Sequence, residues 1–105
     1  MKTLILITTA VERKEDAERI AALLLERRLV ACAQISTPIT SVYRWRGEVT
    51  TASELVLSLK TLPQHYALIE EVLLQEHPYE TPEIIAQEIP FVSNAYSDWV
   101  KQEVL

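Results

Sequence analysis

Glycine is nearly absent from this chain: Gly47 is the only one in 105 residues. A loop that cradles phosphate on successive backbone amides needs several glycines, so a nucleotide-binding loop of that kind is excluded. Cys32 is the only cysteine, which rules out an intrachain disulfide, a cysteine-held iron–sulfur cluster and a paired-cysteine metal or redox motif. No apolar run approaches the roughly 18 residues of a membrane span. Met1-Lys2-Thr3 leads into Leu4-Ile5-Leu6-Ile7 without the long apolar stretch and small-residue cleavage site of a signal peptide. The cytoplasm is the expected location, with no membrane partner. Basic residues are scarce in the second half, where residues 51–105 hold two Lys/Arg against nine Asp/Glu, while residues 1–50 hold eight against six. With no basic stripe to meet phosphates, nucleic acid is not an expected partner. No glycine-flanked serine is present and no histidine is placed as its base, so no catalytic residue and no enzyme activity are expected.

What is present is a chain that is 49% hydrophobic with a net charge of −5, too apolar for disorder and long enough for one core. It reads as a single domain over residues 1–105. Thr3–Thr9 is apolar and β-branched, a strand covered on both faces. From Glu12 the apolar positions Ala17, Ile20, Ala21, Leu24 and Leu25 recur at helical spacing, predicting an amphipathic helix that ends near Arg28. Its acidic first turn and the Arg27-Arg28 pair at its end suit the helix dipole. Residues 29–45 read as one long extended arm interrupted at Ser36-Thr37-Pro38, where proline implies a bulge or an unpaired edge. Arg46-Gly47 turns the chain, and residues 48–61 return as a strand in which Leu55, Leu57 and Leu59 alternate with Glu54, Val56, Ser58 and Lys60. Thr61-Leu62-Pro63-Gln64 has the form of a capping box opening a second helix, which Pro78 stops. Ile84-Ile85-Ala86 lies in a short fourth strand, and Ser93 or Asn94 caps a last helix.

The order βαββαβ, followed by a helix, predicts an α+β, ferredoxin-like sandwich with an extra C-terminal helix. At ~3.3 Å per residue each arm of the long hairpin formed by the second and third predicted strands reaches about 45–50 Å, twice the span of the first strand. The overhanging tips present open backbone edges, so pairing with other copies of the chain is expected.

The densest set of chemical side chains is Glu76-His77-Pro78-Tyr79-Glu80-Thr81-Pro82-Glu83, which two prolines hold in an extended path. Imidazole, phenol and carboxylates suit borderline divalent cations, with copper the tightest binder on intrinsic affinity. The bland reading is that the prolines merely end a helix and the carboxylates are solvated. One imidazole alone makes no selective site, and His65 carries less weight than His77. Cys32, among Val30, Ala31 and Ala33, reads as a small buried hydrophobe. Tyr43-Arg44-Trp45-Arg46-Gly47 puts an aromatic pair on one face of the arm, either a stacking ligand site or an oligomer contact.

These residues bring the chain to a known family. Val30-Ala31-Cys32-Ala33-Gln34-Ile35, Tyr43-Arg44-Trp45-Arg46-Gly47, Leu59-Lys60-Thr61, His77-Pro78-Tyr79-Glu80-Thr81-Pro82-Glu83-Ile84 and the Tyr96…Trp99 pair resemble, over essentially the whole length, the signature segments of CutA, the divalent-cation-tolerance family. The resemblance implies a homotrimer sharing the architecture of PII signalling proteins, no obligatory cofactor, and binding of copper(II) or another divalent cation. It implies His77 as a metal ligand, with Glu76 where some members carry a second histidine and Thr8 where some carry a first-strand cysteine. It also implies a ligand cleft at the subunit boundary formed by Tyr43, Trp45, Lys60, Tyr79, Glu80 and Glu83, with Lys60 offsetting the carboxylates. A PII-like small-molecule sensor and a trimeric interaction scaffold are the alternative readings.

Overall fold

A computed structural model describes residues 3–105; Met1 and Lys2, read above for a signal peptide, lie outside the described residues. The elements in chain order are β1 (Leu4–Val11), α1 (Lys14–Glu26), β2 (Cys32–Ile35), β3 (Ile39–Trp45), β4 (Glu48–Thr61), a 3₁₀ turn (Pro63–His65), α2 (Tyr66–Glu76), β5 (Ile85–Ile89) and α3 (Asn94–Glu103). All strand pairs are antiparallel, in the order β2-β4-β1-β5, with β3 paired to the far half of β4. The result is an α+β fold of five strands and three helices.

Successive strand residues face opposite sides, and the two sides carry two cores. Ile5, Ile7 and Val11 of β1 with Leu57 and Leu59 of β4 pack against Ala17, Ile20 and Leu24 of α1 and Ile69 and Leu73 of α2. Leu4, pointing the other way, joins Leu62, Val100 and Val104 under α3. The helix α3 covers only one end of that second face; Leu6, Thr8, Cys32 and Lys60 on it stay half-exposed. Cys32 is thus less enclosed than its apolar neighbours suggest.

Three sequence expectations change. The arm over 29–45 is two strands, because Ile35 faces Leu57 while Ile39 faces Glu54, leaving residues 36–38 opposite only 55 and 56. This is a one-residue bulge. The Ser36 amide donates to the Val56 carbonyl at 2.9 Å and the Ser36 hydroxyl accepts from the Val56 amide at 2.8 Å, while Pro38 has no N–H to donate. Residues 29–31 are not strand, because Arg28 takes a left-handed φ of 57° and ends α1. The Leu29 amide donates to the Leu24 carbonyl and the Arg28 amide to Leu25, the Schellman arrangement with arginine where glycine is usual. No capping box opens the second helix either: the Thr61 hydroxyl donates instead to the Leu29 carbonyl at 2.6 Å, because Thr61 is still strand.

The hairpin overhang is present. β1 pairs with β4 over Leu55–Thr61, so among the described residues Glu48–Glu54 has β3 as its only partner strand and the arm projects beyond the body. Arg46 and Gly47, with φ of 51° and 84°, form its two-residue turn, both in the left-handed region that a type I′ turn requires.

Candidate functional site

His77 follows the last residue of α2, its backbone turning extended so that the ring swings back under the body. It is buried. Nε2 lies 3.0 Å from the Ala10 carbonyl and Nδ1 is 3.1 Å from the Tyr79 amide. A carbonyl only accepts and an amide N–H only donates, so the ring is neutral, protonated on Nε2. Burial pushes the His77 pKa below its ordinary value, against the opposing pull of the Ala10 carbonyl and of the Asp16 and Glu54 charges.

Two residues on, Tyr79 packs edge-on against His77 with ring centroids 4.8 Å apart. Its hydroxyl donates to Glu54 Oε2 at 2.7 Å. Burial first, and then that carboxylate, push the phenol pKa well above its ordinary value, so the hydroxyl keeps its proton and stays a donor. The loop after α2 is thereby fixed at two points: through His77 to the end of β1 and through Tyr79 to the middle of β4.

Between this loop and the projecting arm lies a cleft of about 770 Å³, walled by Tyr43 and Trp45 of β3 and by Tyr79, Glu80 and Glu83 of the loop, with Glu12 and Glu54 also lining it. At the tip, Arg46 closes the span, its guanidinium 3.1 Å from Glu80 Oε2 and 5.4 Å from the Trp45 ring centroid. Five of the six residues read as cleft residues come together here.

Lys60 is the exception. It sits opposite Leu6 and Cys32 in the sheet, where its ammonium donates to Gln34 Oε1 at 2.9 Å and lies 5.9 Å from the Tyr96 ring centroid. It serves the α3 side, six residues along β4 from Glu54, and offsets none of the cleft carboxylates in the protomer.

Nor does the structure bring His77 and Glu76 together as ligands. Both ring nitrogens of His77 are committed to backbone groups. Glu76 is held toward α1 by Arg19, which reaches its carboxylate and its backbone carbonyl at 2.8 Å each. Among the described residues no three His, Cys, Asp or Glu side chains converge to hold a metal ion. His65 has its own partner, the Leu105 carbonyl at 2.6 Å.

Sequence reasoning missed Glu54, reading it as one of the outward positions alternating with Leu55, Leu57 and Leu59. It keeps that facing, yet it is buried together with Leu55. What covers Glu54 is Tyr79, 25 positions away, and no feature of its own strand signals that contact.

Comparison with known proteins agrees with this architecture. Residues 5–103 match the family model described as CutA1 divalent ion tolerance protein. A divalent-cation tolerance protein CutA of Thermus thermophilus is 40% identical over 102 residues, covering 97% of each chain. Among solved structures, a divalent cation tolerance protein of the same organism superposes with a TM-score of 0.93 at 37% identity, over 96% of this chain and 98% of that one. A protein described as the periplasmic divalent cation tolerance protein CutA of Archaeoglobus fulgidus gives 0.93 at 33% identity, over 97% and 99%.

Proposed function

The chain belongs to the CutA1 divalent ion tolerance family, and on that premise we propose that it serves divalent-cation tolerance as a cytoplasmic homotrimer of ferredoxin-like, single-domain protomers that binds divalent ions rather than catalysing a reaction. The observation that carries this reading is the arm. Its seven residues of β4 beyond β1 leave a strand edge open, and Val42 and Val49 on the arm are each 65% exposed. Open edges and apolar strand faces of this kind are covered by pairing with another chain. The half-covered second face of the sheet supports the same reading.

The cation fits this assembly better than it fits one protomer. No three donors converge within the chain among the described residues, so a site is completed where the carboxylates of one copy meet donors of another. Oxygen donors of this type bind weakly and follow the usual affinity order, with copper(II) tightest. His77 enters this reading as the residue that fixes the loop carrying Glu80 and Glu83. The test is a calorimetric titration with copper(II) and zinc(II) against a competing chelator, alongside sedimentation analysis. Trimers that bind copper in fixed proportion, with Glu80→Gln/Glu83→Gln abolishing binding, are the expected result. A monomer, or metal uptake unchanged in the double variant, overturns it.

A PII-like sensor of a small molecule is the second reading, favoured by one observation: the cleft volume lies in the roughly 300–1,000 Å³ range of small-ligand sites, with Tyr43 and Trp45 of the arm among its lining.

A further inference from the structure

The cleft between arm and loop is aromatic as well as acidic, and its most enclosed charge has no counter-cation. Glu54 is only 8% exposed, it accepts one hydrogen bond, from Tyr79, and among the described residues no basic nitrogen forms an ion pair with it. A buried carboxylate is costly unless a positive group meets it. The cleft that opens onto it measures about 770 Å³, far more than a bare ion fills, and the carboxylates do not converge in threes. Tyr43, Trp45 and Tyr79 line the same space, and aromatic rings attract alkylammonium and guanidinium groups through their faces. The chain itself displays this chemistry at the mouth, where the Arg46 guanidinium sits 5.4 Å from the Trp45 centroid and 3.1 Å from the Glu80 carboxylate.

We infer that this cleft takes a small organic cation, a protonated amine or guanidinium, whose charged group reaches Glu54 between Tyr43, Trp45 and Tyr79. This rests on the proposed function's placement of the ligand in the cleft and names a ligand class for it. A metal ion gains from the carboxylates alone, whereas an organic cation gains from the rings and the volume as well.

The test is calorimetry of the assembled protein with agmatine, which carries a guanidinium and an amine, and with 1-butanol as an uncharged control. Agmatine is expected to bind saturably, one per chain, and butanol not at all. Glu54→Gln, which keeps a carbonyl oxygen for the Tyr79 hydroxyl, is expected to weaken binding about tenfold by removing the charge. Trp45→Leu, at the arm tip where the side chain is 41% exposed and outside both cores, is expected to weaken it about threefold and decides the matter where Glu54→Gln does not fold. Absence of saturable agmatine binding, or affinity unchanged in the variants, overturns the inference. Copper(II) titrated into the same preparation separates the two readings: copper binding without agmatine binding overturns the organic-cation site alone, and agmatine binding without copper binding overturns the metal reading alone.

Discussion

The Tyr79 hydroxyl and the Glu54 carboxylate meet at 2.7 Å across 25 positions of chain, joining the loop that follows α2 to the point where the arm leaves the body. Because the acceptor is a buried carboxylate, this is a charge-assisted bond, a class that contributes about 1.5–3 kcal/mol each. Tyr79→Phe is therefore expected to lower the urea-unfolding free energy by about 2 kcal/mol per protomer. A loss below about 0.5 kcal/mol would show that water replaces the hydroxyl at no cost.

Acid should loosen the same loop through His77. Its pKa is lowered in the folded protein by burial, so the unfolded chain takes up a proton first as pH falls. The stability from keeping the ring neutral is present in full above the unfolded value of about 6.5. It is lost as pH falls below that value and through the folded pKa, where a proton on Nδ1 displaces the Tyr79 amide. His77→Gln, which has no titrating ring, should flatten the pH profile of the unfolding free energy over that interval. A profile with the same slope in both proteins would assign the acid sensitivity elsewhere.

Arg28 separates conformational strain from side-chain bonding. Its backbone is left-handed, while its guanidinium donates to the Glu103 carbonyl at 3.1 Å and the Gln102 carbonyl at 3.0 Å at the end of α3. Glycine and alanine both remove the donors, but only glycine relieves the backbone. Arg28→Gly is expected to be more stable than Arg28→Ala by about 1 kcal/mol, measured by chemical denaturation. Equal stabilities would mean that the turn relaxes away from positive φ when the side chain is lost.

Gly47 offers the same experiment in the arm. At a φ of 84° a Cβ meets no atom within 4 Å, so Gly47→Ala has no clash and only a conformational cost of about 1–2 kcal/mol. Slowed or weakened assembly, read by sedimentation, is the expected consequence if the arm mediates pairing. Wild-type assembly with a lowered unfolding free energy would confine the effect to the protomer.

Much of the fold was legible because it rests on short-range chemistry. The strand pattern of β1, the helical spacing of Ala17, Ile20 and Leu24, the Arg46-Gly47 turn and the Ser93 cap of α3, whose hydroxyl accepts from the Tyr96 amide at 3.2 Å, are each set by neighbours a few positions away. The site was legible in its residues and not in their roles. Nothing adjacent in sequence tells His77 that its partner is the Ala10 carbonyl, 67 positions away, or tells Glu76 that Arg19 will claim it. Lys60 lies apart from the cleft of its own protomer for a related reason: it shares a strand with Glu54, but some 20 Å of β4, at ~3.3 Å per residue, separates their surroundings.

Two contacts bind the arm to the loop, one at its root through Tyr79 and Glu54 and one at its tip through Arg46 and Glu80. The root contact is buried and the tip contact has both partners 72% exposed, so dissolved salt acts on them unequally: at 0.15 M the screening distance is about 8 Å, and it bears on the exposed pair. The arm is therefore anchored at its base by a contact that salt leaves intact and tethered at its far end by one that salt weakens.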